Sequence, residues 1–500
     1  MSDEACLGEG DPLSKLVALS VEQQSVWPVD VDLATCGFVR ELRAFQRSAV
    51  ARLLVAQGGA NFSVPGSGKT TVAYAVFAGL RVRGVAHGML VIAPPAAFEA
   101  WADEAHECFA PGRVPRLRIR PKSIANSDEV IVLNYERLSD PAVRAALRAW
   151  ARNRKVLTVF DEAHRAKAGE KSRRGAAAAV LARSSDAVLT LTGTPQPNAS
   201  SDLTAIFDLV WPGQGHRLVD GDLADVRERA FVRATKGDLA LPALDLRVER
   251  VELDPAHRLL YAAMADRVGE ITSSAEADAA EAGAAIMRLL AAAVHPAAVF
   301  TRGEPWSLPD DERADWDLEA ILNEPMQHVR SSKIVRAAEL VAENRREGRK
   351  TLVWSCFVDV VRLLGEALAD HKPAVIVGAT PIDDPAAPTD RVRELERFRR
   401  DPDCWVLVAT PQTLGEGISL HRTCIDQIHV DRSYNAGTWL QSIDRTHRLG
   451  LPADARPTCT VLVAADTIDV RVGEVLAAKV AAMGKALNDP SLTPRDEEAE

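Results

Sequence analysis

The chain has 500 residues, 47% hydrophobic and 26% charged, which is enough for about two to four domains with sizeable cores and is typical of a soluble globular protein. A formal net charge of −10 excludes recognition of nucleic acid by bulk attraction, so any such contact must come from local Lys/Arg patches. The seven cysteines (Cys6, Cys36, Cys108, Cys356, Cys404, Cys424, Cys459) are dispersed with no Cys-x-x-Cys pair, no apolar run reaches membrane-spanning length, and the acidic N-terminus carries no leader, so reduced thiols and a cytoplasmic location are expected.

In chain order, the first informative element is Val64-Pro65-Gly66-Ser67-Gly68-Lys69-Thr70-Thr71, a turn that ends an apolar segment and opens a helix-like run from Val72 to Leu80. Such a loop points backbone N–H groups, a lysine ammonium and a threonine hydroxyl at nucleotide phosphates and Mg²⁺. Ser63 stands where the usual pattern begins with Gly. Apolar strand-like runs follow at Met89–Ala93, Val130–Leu133, Val156–Phe160 and Val188–Leu191. The third delivers two adjacent carboxylates, Asp161 and Glu162, suited to holding Mg²⁺ and polarising an attacking water. Loop and carboxylates together predict a hydrolase.

Further along, Ser273–Ala285 reads as helix or spacer and Thr301–Trp316, with Pro305 and Pro309, as loop. A second set of strand-like runs occupies Thr351–Trp354, Val375–Val377, Trp405–Val408, Gln427–Val430 and Cys459–Val463, and Thr493–Glu500 is an acidic tail expected to be disordered. The alternation predicts an α/β fold: two lobes, each a parallel sheet covered by helices. In Gln441–Gly450, Arg445 and Arg448 lie three apart on a predicted helix, where they are either a solvated face or a pair reaching one ligand, as arginine fingers do for a transferring phosphoryl group.

The order of motifs resembles the Swi/Snf-like branch of superfamily-two helicases over nearly all of residues 39–487. Leu42-Arg43-Ala44-Phe45-Gln46 is similar to that family's adenine motif, and Val91-Ile92-Ala93-Pro94-Pro95 with Trp101 and Glu104 to the next, followed by Asn134-Tyr135-Glu136. Asp161-Glu162-Ala163-His164 (a DEAH-type box) with Arg165 and Lys167, and Leu191-Thr192-Gly193-Thr194-Pro195 with Asn198, fit the motifs after it. Phe231–Lys236, Leu241-Pro242, Tyr261 and His295-Pro296 resemble the passage into lobe two. Ser332-Lys333, Thr351–Ser355, Gly415–Leu420 and Gln441–Gly450 complete the set. Ser63 and Pro65 in the loop, an extra residue in Thr410–Leu414 and Leu451 in place of a glutamine depart from the pattern, and none removes a catalytic side chain. No appended chromatin-targeting module is apparent, which resembles a minimal bacterial or phage-type motor.

The resemblance implies two RecA-like P-loop lobes, a helicase ATP-binding domain at 39–240 and a helicase C-terminal domain at 241–487 with a helical spacer near 256–330, flanked by an N-terminal extension 1–38 and the tail 488–500. It implies ATP and Mg²⁺ in a cleft between lobes. Arg43, Gln46, Gly66, Ser67, Gly68, Lys69, Thr70, Thr71 and Gly417 would bind nucleotide, with Thr70 and Asp161 on the metal. Lys69, Asp161, Glu162, Gln441, Arg445 and Arg448 would act in catalysis, and His164, Thr192 and Thr194 would couple hydrolysis to motion. By family position Pro94, Asn134, Tyr135, Ser355 and Thr410 would contact nucleic-acid phosphates and sugars. Arg165, Lys167, Lys171, Arg173 and Arg174 form one basic cluster and Arg391–Arg400 another, either solvated faces or two sides of a groove. Trp101 and Trp439 read as packing residues, and His164 lacks ligand-spaced partners for a metal.

The function expected is an ATP-dependent translocase or remodeller of double-stranded DNA, with protein partners in a defence or repair system. A strand-separating DNA or RNA helicase is the alternative enzyme. A nucleotide-gated binding subunit with slow hydrolysis is the alternative of another class.

Overall fold

Strands that are buried on both faces read as uninterrupted Val/Ile/Leu runs, and such runs pair in parallel when helices return the chain to the same edge. The computed structural model describes residues 13–166, 172–195, 200–273, 279–295, 298, 331–381, 389–414, 418–489 and 492, and divides the chain into two units.

Unit one takes in the described residues up to Leu241 together with Ile418 and, of 482–492, those described. Its sheet has seven parallel strands in the spatial order Leu117–Ile119, Val130–Leu133, Gly88–Ile92, Val156–Asp161, Ala187–Leu191, Gly59–Asn61, Phe231–Val232. The predicted helix is present as Lys69–Val82, and every residue from Thr71 to Leu80 is buried, as an all-apolar helix requires. It packs beneath the sheet in a core with Leu54, Trp101, Phe109 and Val132. Gly79 lies so close to the neighbouring helix, Ala44–Ala56, that a Cβ there would come within 2.6 Å of Leu54 Cδ2.

Unit two comprises the described residues of 242–414 and 419–481. Its six strands are also parallel, in the order Ala374–Ile376, Val406–Ala409, Thr351–Trp354, Asp426–His429, Thr458–Ala464, Asp245–Val251. The helices Pro255–Ser273 and Ala279–Val294 pack on each other through Tyr261, Met264, Leu289 and Ala293, and the Tyr261 hydroxyl accepts the Ile468 N–H at 2.7 Å. Most of the spacer, the loop predicted at 301–316 and the tail 493–500 lie outside the described residues.

Lys333, fully buried, donates to Val430 O at 2.9 Å and forms an ion pair with Asp469, whose Oδ2 also accepts the Ala464 N–H at 2.9 Å. This charge pair ties the helix Ser332–Arg346 to the end of the sheet.

Candidate active site

The turn between the strand Gly59–Asn61 and the helix Lys69–Val82 is shaped by two glycines in the left-handed region, Gly66 at φ 78° and Gly68 at φ 80°. A side chain at Gly68 would be strained, and its Cβ would lie 2.4 Å from Gln46 Nε2. Gln46 fastens the loop: its Nε2 donates to Ser67 O at 3.0 Å while its Oε1 accepts the Arg43 N–H at 3.0 Å. Lys69 Nζ donates to Ser63 O at 3.0 Å and Val64 O at 3.4 Å, so the ammonium is folded over the loop. Ser67 Oγ is buried and has no hydrogen-bond partner among the described residues. Thr70 is half-buried in the first helical turn, and the Thr71 hydroxyl donates to Glu104, itself paired with Arg40 at 3.0 Å.

The two departures in the loop have local causes. Ser63 lies outside the positive-φ region, so its backbone does not need glycine, and its hydroxyl accepts the Ala234 N–H at 2.9 Å. Pro65 packs on Gly193, where a Cβ would meet Pro65 Cδ at 2.6 Å, joining the loop to the Leu191–Pro195 motif.

Asp161 ends its strand with 9% of its surface exposed. Its Oδ1 accepts the Glu162 N–H at 3.0 Å, and its Oδ2 accepts the Trp101 indole N–H at 2.8 Å. Trp101 is therefore more than packing. It is fully buried, its carbonyl accepts from Tyr74 Oη at 2.8 Å, and the Tyr74 ring meets it at 5.3 Å. A buried indole must place its N–H on an acceptor, which is the clue that sequence reading passed over.

Glu162 follows in the left-handed region at φ 50°, a conformation that costs a non-glycine residue about 1–3 kcal/mol and concentrates at functional sites. From there a polar chain crosses to the adjacent strand end. His164 Nδ1 lies 3.3 Å from Glu162 Oε2 and 3.0 Å from Thr192 Oγ1, which accepts the Thr194 N–H at 3.1 Å. All five residues placed here, Asp161, Glu162, His164, Thr192 and Thr194, were expected from sequence at these positions.

In unit two the expectation that Arg445 and Arg448 share a helix is corrected. The helix Ala436–Ile443, which carries Gln441, ends before them. The turn beyond it is pinned to the strand Asp426–His429 by Gln427, whose Nε2 donates to Ile443 O at 3.2 Å and to Thr446 Oγ1 at 2.9 Å. Arg445 is 7% exposed, and Leu420 N donates to its carbonyl at 2.9 Å. Burial, then the charge of Arg445, lowers the Arg448 guanidinium to about 10, while Asp444 opposes them. An arginine whose charged form is disfavoured by burial and by a neighbouring cation gains from an anion beside it. Gly417, assigned to nucleotide binding, lies outside the described residues.

Four of the five positions expected to touch nucleic acid are buried. Tyr135 is 2% exposed and donates to Asp161 O at 2.9 Å; Ser355 is fully buried on Asp431; Thr410 pairs with Thr413; Pro94 is also buried. The hydroxyls of Tyr135, Ser355 and Thr410 are taken up by these partners. Asn134 alone is half-exposed, with Nδ2 donating to Glu136 at 2.7 Å. Of the basic clusters, Lys167 and Lys171 lie outside the described residues. In the helix Arg391–Arg400, Arg397 pairs with Glu394, and Arg399 and Arg400 pair with Glu396, so these three cations are already matched along the helix.

Comparison with known proteins agrees with this geometry. Residues 40–197 match the family "Type III restriction enzyme, res subunit", and residues 332–450 match the "Helicase conserved C-terminal domain". The chain is similar to Zorya protein ZorD of Escherichia coli O139:H28 (strain E24377A / ETEC), 24% identical over 424 residues, covering 73% of this chain and 36% of that protein. It is also similar to DNA repair protein rad8 of Schizosaccharomyces pombe (strain 972 / ATCC 24843), 29% identical over 128 residues, 25% of this chain and 10% of that one. The chain thus spans about a third of the length of the first relative and a tenth of the second. Among solved structures, the Sulfolobus solfataricus SWI2/SNF2 ATPase core in complex with dsDNA aligns over 93% of this chain and 97% of that one at 21% identity, with a TM-score of 0.38. With both matched domains in order over more than half its length and the motifs of each in place, the chain belongs to the superfamily-two helicase family of ATPases.

Proposed function

We propose that the chain is a motor that hydrolyses ATP to move along or remodel double-stranded DNA. The observation that carries this reading is the polar chain from Glu162 through His164 to Thr192 and Thr194, which ties a water-polarising carboxylate to the next strand end. A change at the γ-phosphate alters what Glu162 touches, and the contacts from His164 to Thr192 and Thr194 lead from there to the next strand end. The name of the second relative, a DNA repair protein, favours DNA over RNA.

The residues present fit ATP with Mg²⁺. The orphaned Ser67 hydroxyl and the ring of loop N–H groups match a phosphate, and a hydroxyl with one carboxylate, Thr70 and Asp161, is the kind of hard oxygen set that holds Mg²⁺ beside phosphates. The ion, when bound, neutralises phosphate charge. Lys69 exchanges its two loop carbonyls for phosphate oxygens, Gln46 and Arg43 take the adenine side, and Glu162 orients the attacking water. In unit two, Gln441 offers a neutral amide, and Arg445 and Arg448 are cations of the kind that stabilise charge on a transferring phosphoryl group.

Trp101 holds Asp161 Oδ2 in place and so acts as a positioning residue. Trp101→Phe keeps the ring and deletes the donor. The Mg²⁺ concentration for half-maximal ATPase activity is expected to rise roughly 10- to 100-fold, as when an outer-shell partner is removed. Unchanged Mg²⁺ dependence in a folded variant would remove Trp101 from this role.

The motor reading is tested by steady-state ATP hydrolysis with no nucleic acid, duplex DNA, single-stranded DNA and RNA. Duplex DNA is expected to stimulate most. A preference for single strands or RNA would transfer the reading to a strand-separating helicase, and no turnover in any arm would favour a nucleotide-gated binding subunit.

A further inference from the structure

We propose that unit one carries a docking cleft for an acidic, amphipathic segment of a partner protein. The cleft, about 270 Å³, opens on the sheet face between the helices Pro141–Ala151 and Arg173–Arg183. Its floor is apolar, built from Leu138, Leu147, Trp150 and Val156, all at most 5% exposed, with Leu181 on one wall. Val180 stands at the rim with 51% of its surface exposed and so carries the apolar floor out to the surface.

Arginines edge the same hollow. Arg144, Arg148 and Arg152 follow one another at i, i+4 and i+8 and so form one stripe along the helix and its cap. Arg144 is fixed by Leu138 O at 2.9 Å and Ser139 O at 2.8 Å. Arg148 and Arg152 are exposed, and neither side chain has a hydrogen bond or ion pair among the described residues. On a chain whose net charge is −10, an unmatched cationic stripe beside an apolar floor is complementary to an occupant with apolar anchors and flanking carboxylates. An amphipathic helix laid in a groove has that composition. A DNA backbone would match the arginines but has nothing to bury against Leu147 and Trp150.

The cleft touches Val156 and Thr158, at the start of the strand whose far end holds Asp161, so it is separate from the nucleotide loop. Variants at its rim therefore leave basal ATPase activity intact.

The probe is a fluorescein-labelled helical peptide with Leu and Phe at i, i+3, i+4 and i+7 and Asp or Glu elsewhere, followed by fluorescence anisotropy. Two controls replace the apolar residues by Ser, or the acids by Lys. Saturable binding of the parent peptide alone is expected. Both Val180→Asp and the double variant Arg148→Glu/Arg152→Glu should weaken it about tenfold or more while circular dichroism and basal ATPase activity stay unchanged. No binding of the parent peptide, equal binding of the Ser control, or unchanged affinity in both folded variants overturns the proposal. If the charge reversal weakens duplex binding and not peptide binding, the stripe belongs to DNA and the proposal also falls. Because the readout is peptide affinity, its failure is separable from failure of the motor reading.

Discussion

Glu162→Gln is expected to reduce DNA-stimulated ATP turnover by about 10²- to 10⁴-fold, the range lost when a positioned general base is removed. The variant keeps the size of the side chain, the backbone N–H to Asp161 Oδ1 and the Arg165 N–H bond of 2.9 Å to the Glu162 carbonyl, so the left-handed turn at φ 50° survives. What it loses is the carboxylate charge beside His164 and the place for an attacking water. Nucleotide binding, proposed above to rest on Lys69 and the glycine turn, should persist within about threefold, since the substitution leaves those groups in place. Phosphate release and nucleotide affinity measured on the same preparation check both halves. Retention of more than a tenth of wild-type turnover would move the general-base role to another group.

The largest expected effect on stability comes from Lys333→Ala. Removal of one partner of a buried ion pair leaves the other charge uncompensated and costs about 3–5 kcal/mol. Here the orphan would be Asp469, 5% exposed, with Asp431 also buried nearby, held above the usual carboxylate range by burial despite the Ser355 and Lys333 groups beside it. Urea unfolding should show unit two melting first in this variant. Lys333→Met with Asp469→Leu, which removes both charges, should recover much of the loss. A double variant no more stable than the single one would show that the Val430 and Ala464 backbone bonds, and not the charge pair, carry the effect.

Much of the site was legible because its chemistry is compact in sequence. The loop Val64–Thr71 and the pair Asp161-Glu162 each fall on one strand end, so strand position alone puts them on the same edge of the sheet. Nine strands were read within a residue or two, since buried parallel strands are continuous apolar runs. Asp245–Val251 was missed because an edge strand bearing Asp245, Arg247, Glu249 and Arg250 alternates exposed and half-buried positions and looks like loop. Gly59–Asn61, Leu117–Ile119 and Phe231–Val232 are too short to carry a period. The Arg445–Arg448 helix was misread because a tertiary contact from Gln427, invisible locally, ends the helix at Ile443. Tyr135, Ser355 and Thr410 show the reverse: small polar or phenolic groups at strand ends satisfy buried partners as readily as they face solvent, and sequence does not say which.

Arg233, in the segment that leaves the first sheet, donates from Nη1 to Phe62 O and is closed by Asp489, whose side chain is fully buried and accepts from Nε at 2.8 Å. Residues 482–492 thus belong to a unit whose main body ends at Leu241. On a ribosome adding about 5–20 residues per second, the counter-charge for Arg233 arrives on the order of tens of seconds after the arginine itself. The first unit emerges early yet stays unfinished until the second has been made. A nascent chain arrested between them would hold Arg233 beside the phosphate loop without the Asp489 carboxylate, so this contact of the first unit closes only after residue 489 has been added.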